Sequence, residues 1–431
     1  MYIMINICLF FGLGVGLFSC NYFIFTILAG YPDGWMLMTA EFVIFAALIF
    51  LFPYLKGPAV KTEHSPDKTF SVIFYLMLFF NILSFISVSL MNPHGGWDAW
   101  AIWNLRARFL FLGNNLWTQI FSPLIYWSRF DYPMLLPCFV ASIWVFFGKT
   151  ALLVPIVASF IFTFFTVALA LAALSIFRGR IYGLLGGIVL LCTQFFFYIG
   201  AAQYSDVPLS FYILAAIVTL FLYDNSDKKD FKILILSGIM VSMAAWTKDE
   251  GILFLLAIGA GRLFAGILIN ERKKALKEAF YFGIGIFPVL CVVIFFKMML
   301  SFSNINYSYL KITSGLSLAF IKISDFSRSV LILKEGIKEI LNMKHWNLFP
   351  LILPLSALFA GISIGNKFKT SIYTSFFALI AVVLGYFCVY LVTPWDLQWH
   401  LSTSVSRLIV HLWPAAIFVF FMIVGKKTKD T

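Results

Sequence analysis

A few acidic residues at the ends of long apolar runs are the side chains of this sequence best suited to chemistry. Asp98 lies in the stretch 92–108, NPHGGWDAWAIWNLRAR, just after an apolar run. Asp206 begins another apolar run, and Asp249 and Glu250 lie in a turn between two such runs. A carboxylate at the rim of a membrane span is partly desolvated and costly, so it often has a function. Such a carboxylate can accept a proton from a reacting hydroxyl group.

Two further stretches place polar and charged side chains beside apolar runs. RFDYPMLLP at 129–137 opens a short apolar run, and DLQWHLSTSVSR at 396–407 precedes the last one. An arginine at the rim of a span can bind phosphate oxygens in a bidentate way. The candidate catalytic residues are Asp98 and Asp206. The candidate residues for binding substrate or a lipid phosphate are Arg106, Arg108, Asp131, Tyr132, Lys248, Asp249, Glu250, His400 and Arg407.

Each candidate also has a purely structural interpretation. Asp131 and Asp206 stand where an acid can cap a helix N-terminus. The adjacent charges of 248–250 are typical of a solvated turn, and Arg407 can reach the membrane interface with its long side chain. The tryptophans after Asp98 are typical of an interfacial anchor helix. An anchor explains the tryptophans but not an acid among them, which favours a functional role for Asp98.

The composition restricts the class of protein that holds these residues. The chain has 431 residues, of which 62 % are hydrophobic and only 12 % charged. Soluble domains are about 45–50 % apolar and about 25 % charged. So few charges cannot cover a soluble surface, which excludes a soluble enzyme, a disordered protein and a nucleic-acid binder. We therefore expect 1–431 to form one all-α, polytopic transmembrane domain.

Apolar runs of about 20 residues predict twelve transmembrane helices. A further run, 133–147, is too short for a secure span, and we expect it to be a juxtamembrane or re-entrant helix. The predicted spans are 3–29, 35–54, 70–90, 151–176, 182–200, 207–223, 232–246, 251–269, 280–300, 347–364, 371–392 and 407–424.

The basic residues then fix an orientation. Eighteen of the 31 Lys and Arg residues fall in alternate connections, whereas the short loops on the other side contain only Lys248. By the positive-inside rule, the basic side is cytoplasmic, as are both termini, in the cytoplasmic (inner) membrane. The basic connections are 56–68, 178–180, 228–232, 262–277, 367–369 and 426–429. The acids at positions 98, 206 and 249–250 then share the external side.

Two long segments face outward in this topology. Segment 91–150 contains Asp98 and is predicted to be an external catalytic loop with juxtamembrane helices. Segment 301–346 is predicted to be a second external loop that covers the acceptor side.

In the order and shared side of its motifs, the chain resembles the GT-C superfamily of integral-membrane glycosyltransferases. The similarity is to bacterial members related to protein mannosyltransferases and aminoarabinose transferases. It covers roughly 70–410, although three spans rather than one precede the first external loop and no second acid adjoins Asp98. The motifs are GWDAW around Asp98, DYPMLLP at 131–137, SDVP around Asp206, WTKDEG at 246–251 and DLQWHLSTSVSRL at 396–408.

This resemblance implies a glycosyltransferase that takes a sugar from a polyprenyl-phosphate-linked donor. The role of base or acceptor-orienting group passes to Asp98, and a supporting role passes to Asp206. A glycan, a lipid or a protein would be the acceptor, the sugar would invert in a single displacement, and nucleic acid would play no part. No cofactor is firmly implied, because the chain contains no GxGxxG, Walker A, HExxH or GxSxG motif. A divalent metal is possible, but no ligand pattern supports one.

Two other functions remain open from the residues alone. A transporter or flippase for lipid-linked glycans would also need many spans, but it would place polar groups near the bilayer midplane. A polymerase or ligase of lipid-linked glycans would use external loops and a lipid-linked donor, as a transferase does. The acids of this chain cluster at span ends, which favours surface chemistry over translocation.

Overall fold

The computed structural model describes residues 1–30, 33–52, 54–56, 68–226, 229–269, 272–301 and 321–425. This part of the chain is all-helical, and it contains no β-strand. The basic residues at 61, 228, 426, 427 and 429, which contribute to the predicted orientation, lie outside it, as do residues 302–320 of the predicted external loop 301–346.

Seventeen α-helices of the described residues carry the fold, and shorter π- and 3₁₀-helical turns connect some of them. Helix formation follows from the long runs of Leu, Ile, Phe and Ala, because a chain in lipid must satisfy its backbone hydrogen bonds internally. The helices are α1 (Tyr2–Ala29), α2 (Gly34–Leu51), α3 (Lys68–Met91), α4 (Asn104–Leu112), α5 (Leu135–Phe147), α6 (Leu153–Arg178), α7 (Arg180–Leu191), α8 (Gln194–Ala201), α9 (Asp206–Asn225), α10 (Phe231–Thr247), α11 (Asp249–Ile269), α12 (Arg272–Phe295), α13 (Phe326–Ile340), α14 (Met343–Trp346), α15 (Phe349–Ala360), α16 (Lys369–Val392) and α17 (Leu397–Ile423).

Eight helices in the described residues are long and apolar enough to cross a membrane. They are α1, α3, α6, α9, α11, α12, α16 and α17. Helices α7 and α8 make a ninth if they are counted as one span, with a bend of 64° between them. The chain is therefore a candidate membrane protein by the length and composition of its helices.

The predicted count of twelve spans is not confirmed. Three predicted spans coincide with apolar helices that are shorter, namely α2, α10 and α15, so the difference lies in helix length and not in position. Helix α5 has 13 residues, in keeping with the expectation that 133–147 is too short to span. Segment 91–150 also contains α4 and three π- or 3₁₀-helical turns.

Helix α9 lies at the centre of the bundle. All its residues from Asp206 to Asp224 are buried, and it packs against α6, α10 and α17. A helix that is apolar on every side buries its whole circumference, as α9 does. Its two ends are about 27 Å apart at 1.5 Å per residue. A charged cluster lies at each end, with Asp206 in one and Asp224 in the other.

The cluster at the Asp224 end joins four helices. Arg262 of α11 lies 3.1 Å from Asp224 and 2.9 Å from Glu278 of α12. Ser371 of α16 donates its backbone N–H to Asp224 over 3.0 Å. At the same end of the bundle, Arg178 donates to the carbonyl of Met422 near the C-terminus of α17. Arg178 and Arg262, two of the basic residues predicted to be cytoplasmic, therefore both lie at the end opposite Asp206.

Candidate active site

The Asp206 end of the bundle contains an arginine that bridges two carboxylates. Arg407 Nη2 lies 2.6 Å from Oδ2 of Asp98 and 2.9 Å from Oδ2 of Asp206. Both contacts are charge-assisted hydrogen bonds, which are stronger than neutral ones. The three residues come from distant parts of the sequence, and the fold brings them to one point.

Asp206 is the most enclosed member of this cluster. Its side chain is fully buried, and Oδ1 contacts Nε2 of His411 at 2.7 Å and Nζ of Lys248 at 3.1 Å. Lys248 also lies 3.3 Å from Glu250, and the Tyr386 hydroxyl lies 3.1 Å from Nδ1 of His411. A buried carboxylate is tolerated when it is paired and hydrogen-bonded in this way. Asp206 therefore organises the surrounding cations rather than facing the surface.

Glycines let the loop that carries Asp98 approach the connection before α9. The Gly96 N–H donates to the carbonyl of Ala202 over 2.9 Å. Gly95 has a positive φ of 75°, and a Cβ at this position would collide with the same carbonyl. Gln203 then accepts a hydrogen bond from Asn104 over 3.0 Å. Only glycine accommodates such a conformation and contact without strain, which is why the sequence reads His-Gly-Gly-Trp-Asp here.

A π-helical turn over Ala99–Trp103 follows Asp98 immediately. π-Helical turns are rare in proteins, and those that do occur are often found at functional sites.

One face of α17 supplies the opposite wall of the site. His400, Ser404, Arg407 and His411 are spaced four, three and four residues apart, so they project from one side of the helix. Asp396 caps the N-terminus of α17 by accepting the Trp399 N–H over 2.8 Å. This capping fixes where the helix begins and hence the height at which Arg407 meets the carboxylates.

The protonation state of Lys248 and the exposure of the two carboxylates distinguish the roles of these charged groups. Burial alone would lower the pKa of Lys248, but the carboxylates of Asp206 and Glu250 outweigh burial and raise that pKa. Lys248 is therefore a fixed cation and not a base. The Asp98 side chain is 15 % exposed, whereas Asp206 is fully buried. Asp98 is thus the carboxylate of this pair that a substrate can reach.

A second ion cluster adjoins the first. Arg129 holds Asp131 by two hydrogen bonds of 2.9 and 2.8 Å, and Lys297 lies 2.6 Å from Asp249. Burial alone would raise the pKa of Asp131, but Arg129 outweighs it and the pKa lies below its usual value. The Tyr132 ring stacks on Trp103, with centroids 5.6 Å apart.

Tyr132 connects the two clusters. The Arg129 guanidinium lies 4.2 Å from its ring centroid, and Lys248 Nζ lies 5.5 Å from it. Cation–π contacts of this kind hold the cations against a fixed aromatic surface. Asp131, Tyr132, Asp249 and Glu250 therefore all line the same end of the bundle as Asp98.

Three predicted site residues are not members of the two ion clusters described above. Arg106 is fully buried and contacts the Met134 sulfur, while its Nε and Nη1 have no hydrogen-bond partner among the described residues. Burial lowers the pKa of Arg106 to about 10, so it remains a cation at neutral pH. Arg108 is exposed, since two residues along α4 turn its side chain to the other face. His400 shares the face of α17 that carries Arg407, but its hydrogen-bond partner is Thr393, at 2.9 Å.

Sequence reasoning missed His411, Tyr386 and Lys297. All three lie within or at the end of apolar runs, where the charge pattern of the loops gives no signal. His411 follows Arg407 by four residues, so it had to share the face of α17 that carries Arg407. That spacing was the one available signal for it.

Comparison of the chain with protein-family models, with curated proteins and with solved structures gave no match. Among the described residues, no group of three or more His, Cys, Asp and Glu side chains is placed to bind a metal ion.

Proposed function

We propose that the chain is a membrane glycosyltransferase of the GT-C type that transfers a sugar from a polyprenyl-phosphate-linked donor. One observation carries the proposal. A partly exposed carboxylate, Asp98, is held by Arg407 against the buried Asp206 at one end of an apolar helical bundle. Such a site can receive a reacting headgroup at the membrane surface while the lipid tail of the donor stays in the bilayer.

In this mechanism Asp98 acts as the general base. The acceptor hydroxyl loses its proton to Asp98 as its oxygen bonds to the anomeric carbon of the donor. The bond from that carbon to the phosphate oxygen breaks, and polyprenyl phosphate leaves with the bonding electrons. A single displacement of this kind inverts the anomeric configuration. Positioned general bases contribute about 10²–10⁴-fold to such rates.

The cations of the site have two tasks in this proposal. Arg407 and Lys248 each contact two carboxylates, so Arg407 positions Asp98 while Lys248 compensates Asp206. Arg106 has two nitrogens without a partner among the described residues, and it supplies positive charge toward the departing phosphate. Preorganised cations stabilise the charge that develops on a leaving group.

The orientation belongs to the same proposal. With twelve spans and both termini cytoplasmic, the Asp206 end lies on the external face of the inner membrane. The acceptor, a glycan, a lipid or a protein, would approach from that side. Segment 301–346 would cover it.

A transporter or flippase for lipid-linked glycans is the second candidate. Glu41, a buried acid within α2 with one oxygen unpartnered among the described residues, favours it. An ionisable side chain inside a membrane helix is commonly part of a transport pathway. A polymerase or ligase would share the site described here but would release a lipid diphosphate if its donor were diphosphate-linked.

The released lipid separates these functions. The full-length chain in proteoliposomes would receive a panel of polyprenyl-phosphate sugars and, separately, polyprenyl-diphosphate glycans, with a cell-envelope extract as the source of acceptors. We expect release of polyprenyl monophosphate in step with sugar transfer. Release of the diphosphate would indicate a polymerase or ligase. Movement of intact donor between leaflets without release would indicate a flippase and overturn the proposal.

A further inference from the structure

Helix α13 lies outside the candidate spans and presents an apolar stripe at the surface. Phe326, Val330, Leu333 and Ile337 are 78, 47, 57 and 58 % exposed. Their spacing of four, three and four residues places them on one face of the helix at about 100° per residue. A continuous exposed stripe of this size indicates a surface that another phase or molecule covers.

A second face of α13 packs on the bundle. Ile332 is buried against Leu397 and Leu401 of α17. Arg328 donates its Nε–H to the carbonyl of Leu391 over 3.0 Å. The apolar stripe is therefore not the face that packs on the bundle, and the described part of the chain leaves it exposed.

The third face of α13 is polar. Ser327, Lys334 and Lys338 are exposed on it. At about 100° per residue, the bundle-facing, apolar and polar sectors have centres about 90° to 140° apart. A helix that borders protein on one side, lipid below and water above requires this division into three sectors. A helix standing free in water would need only an inner and an outer face.

The contacts of α13 also set its height relative to the membrane. Arg328 reaches the last turn of α16, a candidate span that ends at Val392. Lys322 donates to the carbonyl of Thr393, the next residue, over 2.7 Å. The N-terminal end of α13 is therefore level with the end of a span, where the bilayer interface lies. With 15 residues and five charges, α13 is too short and too polar to cross the membrane itself.

We propose that α13 lies in the plane of the membrane interface, with the lipid bilayer as the partner of its apolar stripe. Phe326, Val330, Leu333 and Ile337 enter the boundary between headgroups and acyl chains, as is typical of amphipathic interfacial helices. Lys334 and Lys338 face the headgroups and water. Since Arg328 ties α13 to the end of α16, bilayer contact also anchors the connection that leads to Arg407.

Spin labels on the two exposed faces test this proposal. The full-length chain, with the half-buried Cys192 and the exposed Cys291 and Cys388 replaced by alanine, would carry one label at a time in liposomes of phosphatidylcholine and phosphatidylglycerol. Val330→Cys, Leu333→Cys and Ile337→Cys place the label on the apolar stripe. Ser327→Cys, Lys334→Cys and Lys338→Cys are the matched controls on the polar face. All six positions are exposed, so the labels leave the core intact.

The measurement is the accessibility of each label to oxygen, which concentrates in lipid, and to a water-soluble nickel chelate. We expect the ratio of the two to invert between the faces, with oxygen dominant on the apolar stripe and the chelate dominant on the polar face. Equal chelate access at all six positions would overturn the proposal and would leave the stripe to a protein partner. Protection of all six positions from both reagents would also overturn it.

Discussion

At the scale of single residues, Arg407 determines the electrostatics of the site. One of its nitrogens contacts both Asp98 and Asp206, so a single guanidinium holds two carboxylates close together. Asp206 has Lys248 and His411 as further partners, whereas Asp98 has Arg407 as its ion-pair partner among the described residues. Loss of Arg407 therefore affects Asp98 more than Asp206.

Replacement of Arg407 tests this dependence. We expect Arg407→Gln to lower the free energy of unfolding by about 3–5 kcal/mol, the cost of breaking a largely buried ion pair. Arg407→Lys retains the charge and should recover most of that loss. Thermal unfolding in detergent provides the measurement, and an Arg407→Gln protein as stable as the unsubstituted chain would contradict the account.

The sequence predicted which residues lie together in the candidate site better than it predicted the contacts between them. Asp98, Asp206 and Arg407 each stand at the end of an apolar run, and the alternation of basic loops assigned all three to one side. The face of a short helix was not predictable, so Arg106 and Arg108 received the same role although only Arg106 is buried. His411 escaped notice because its neighbours are apolar.

At the scale of helices, Arg262 holds the end of the bundle opposite the site. It joins α11 to Asp224 of α9 and Glu278 of α12, and Asp224 also binds Ser371 of α16. All three charged side chains are almost fully buried. The cluster therefore fixes four helices to one another about 27 Å from Asp206, by the rise of α9.

Replacement of Arg262 should destabilise the fold while leaving the residues of the candidate active site unchanged. We expect Arg262→Met to lower the free energy of unfolding by about 3–5 kcal/mol, since it leaves two buried carboxylates without their cation. Asp224→Asn and Glu278→Gln in the same chain are the matched control, and they should restore much of the stability. Thermal unfolding of the single and triple variants checks this. A single variant no less stable than the triple one would contradict the proposed clamp.

At the scale of the whole molecule, two opposite ends follow from the direction of each helix. The site lies where α9, α11 and α17 begin and where α10 and α16 end. The sequence predicted the position of each of these helices, because apolar runs of this length have few alternatives to a helix in lipid. It did not settle the number of spans, since α2, α10 and α15 fall short of the length that a span needs.

The proposed orientation can be checked by labelling from outside the cell. In chains with Cys192, Cys291 and Cys388 replaced, Ser402→Cys lies at the site end and Asn366→Cys at the opposite end, and both positions are exposed. A membrane-impermeant maleimide should label Ser402→Cys in intact cells and Asn366→Cys only after permeabilisation. The reverse pattern would place the site on the cytoplasmic face of the membrane and contradict the orientation assigned by the positive-inside rule.

The most direct test of the central claim is the transfer rate of Asp98→Asn. Full-length protein in proteoliposomes would receive the panel of polyprenyl-phosphate sugars with the envelope extract as acceptor source, and release of polyprenyl phosphate would be measured. Asp33→Asn is the matched control, because Asp33 is an exposed carboxylate whose side chain makes no capping hydrogen bond at the start of α2. We expect Asp98→Asn to fold as the unsubstituted chain does, yet to lose about 10²–10⁴-fold in rate, while Asp33→Asn keeps full activity. An Asp98→Asn protein that transfers sugar at the unsubstituted rate would contradict the account.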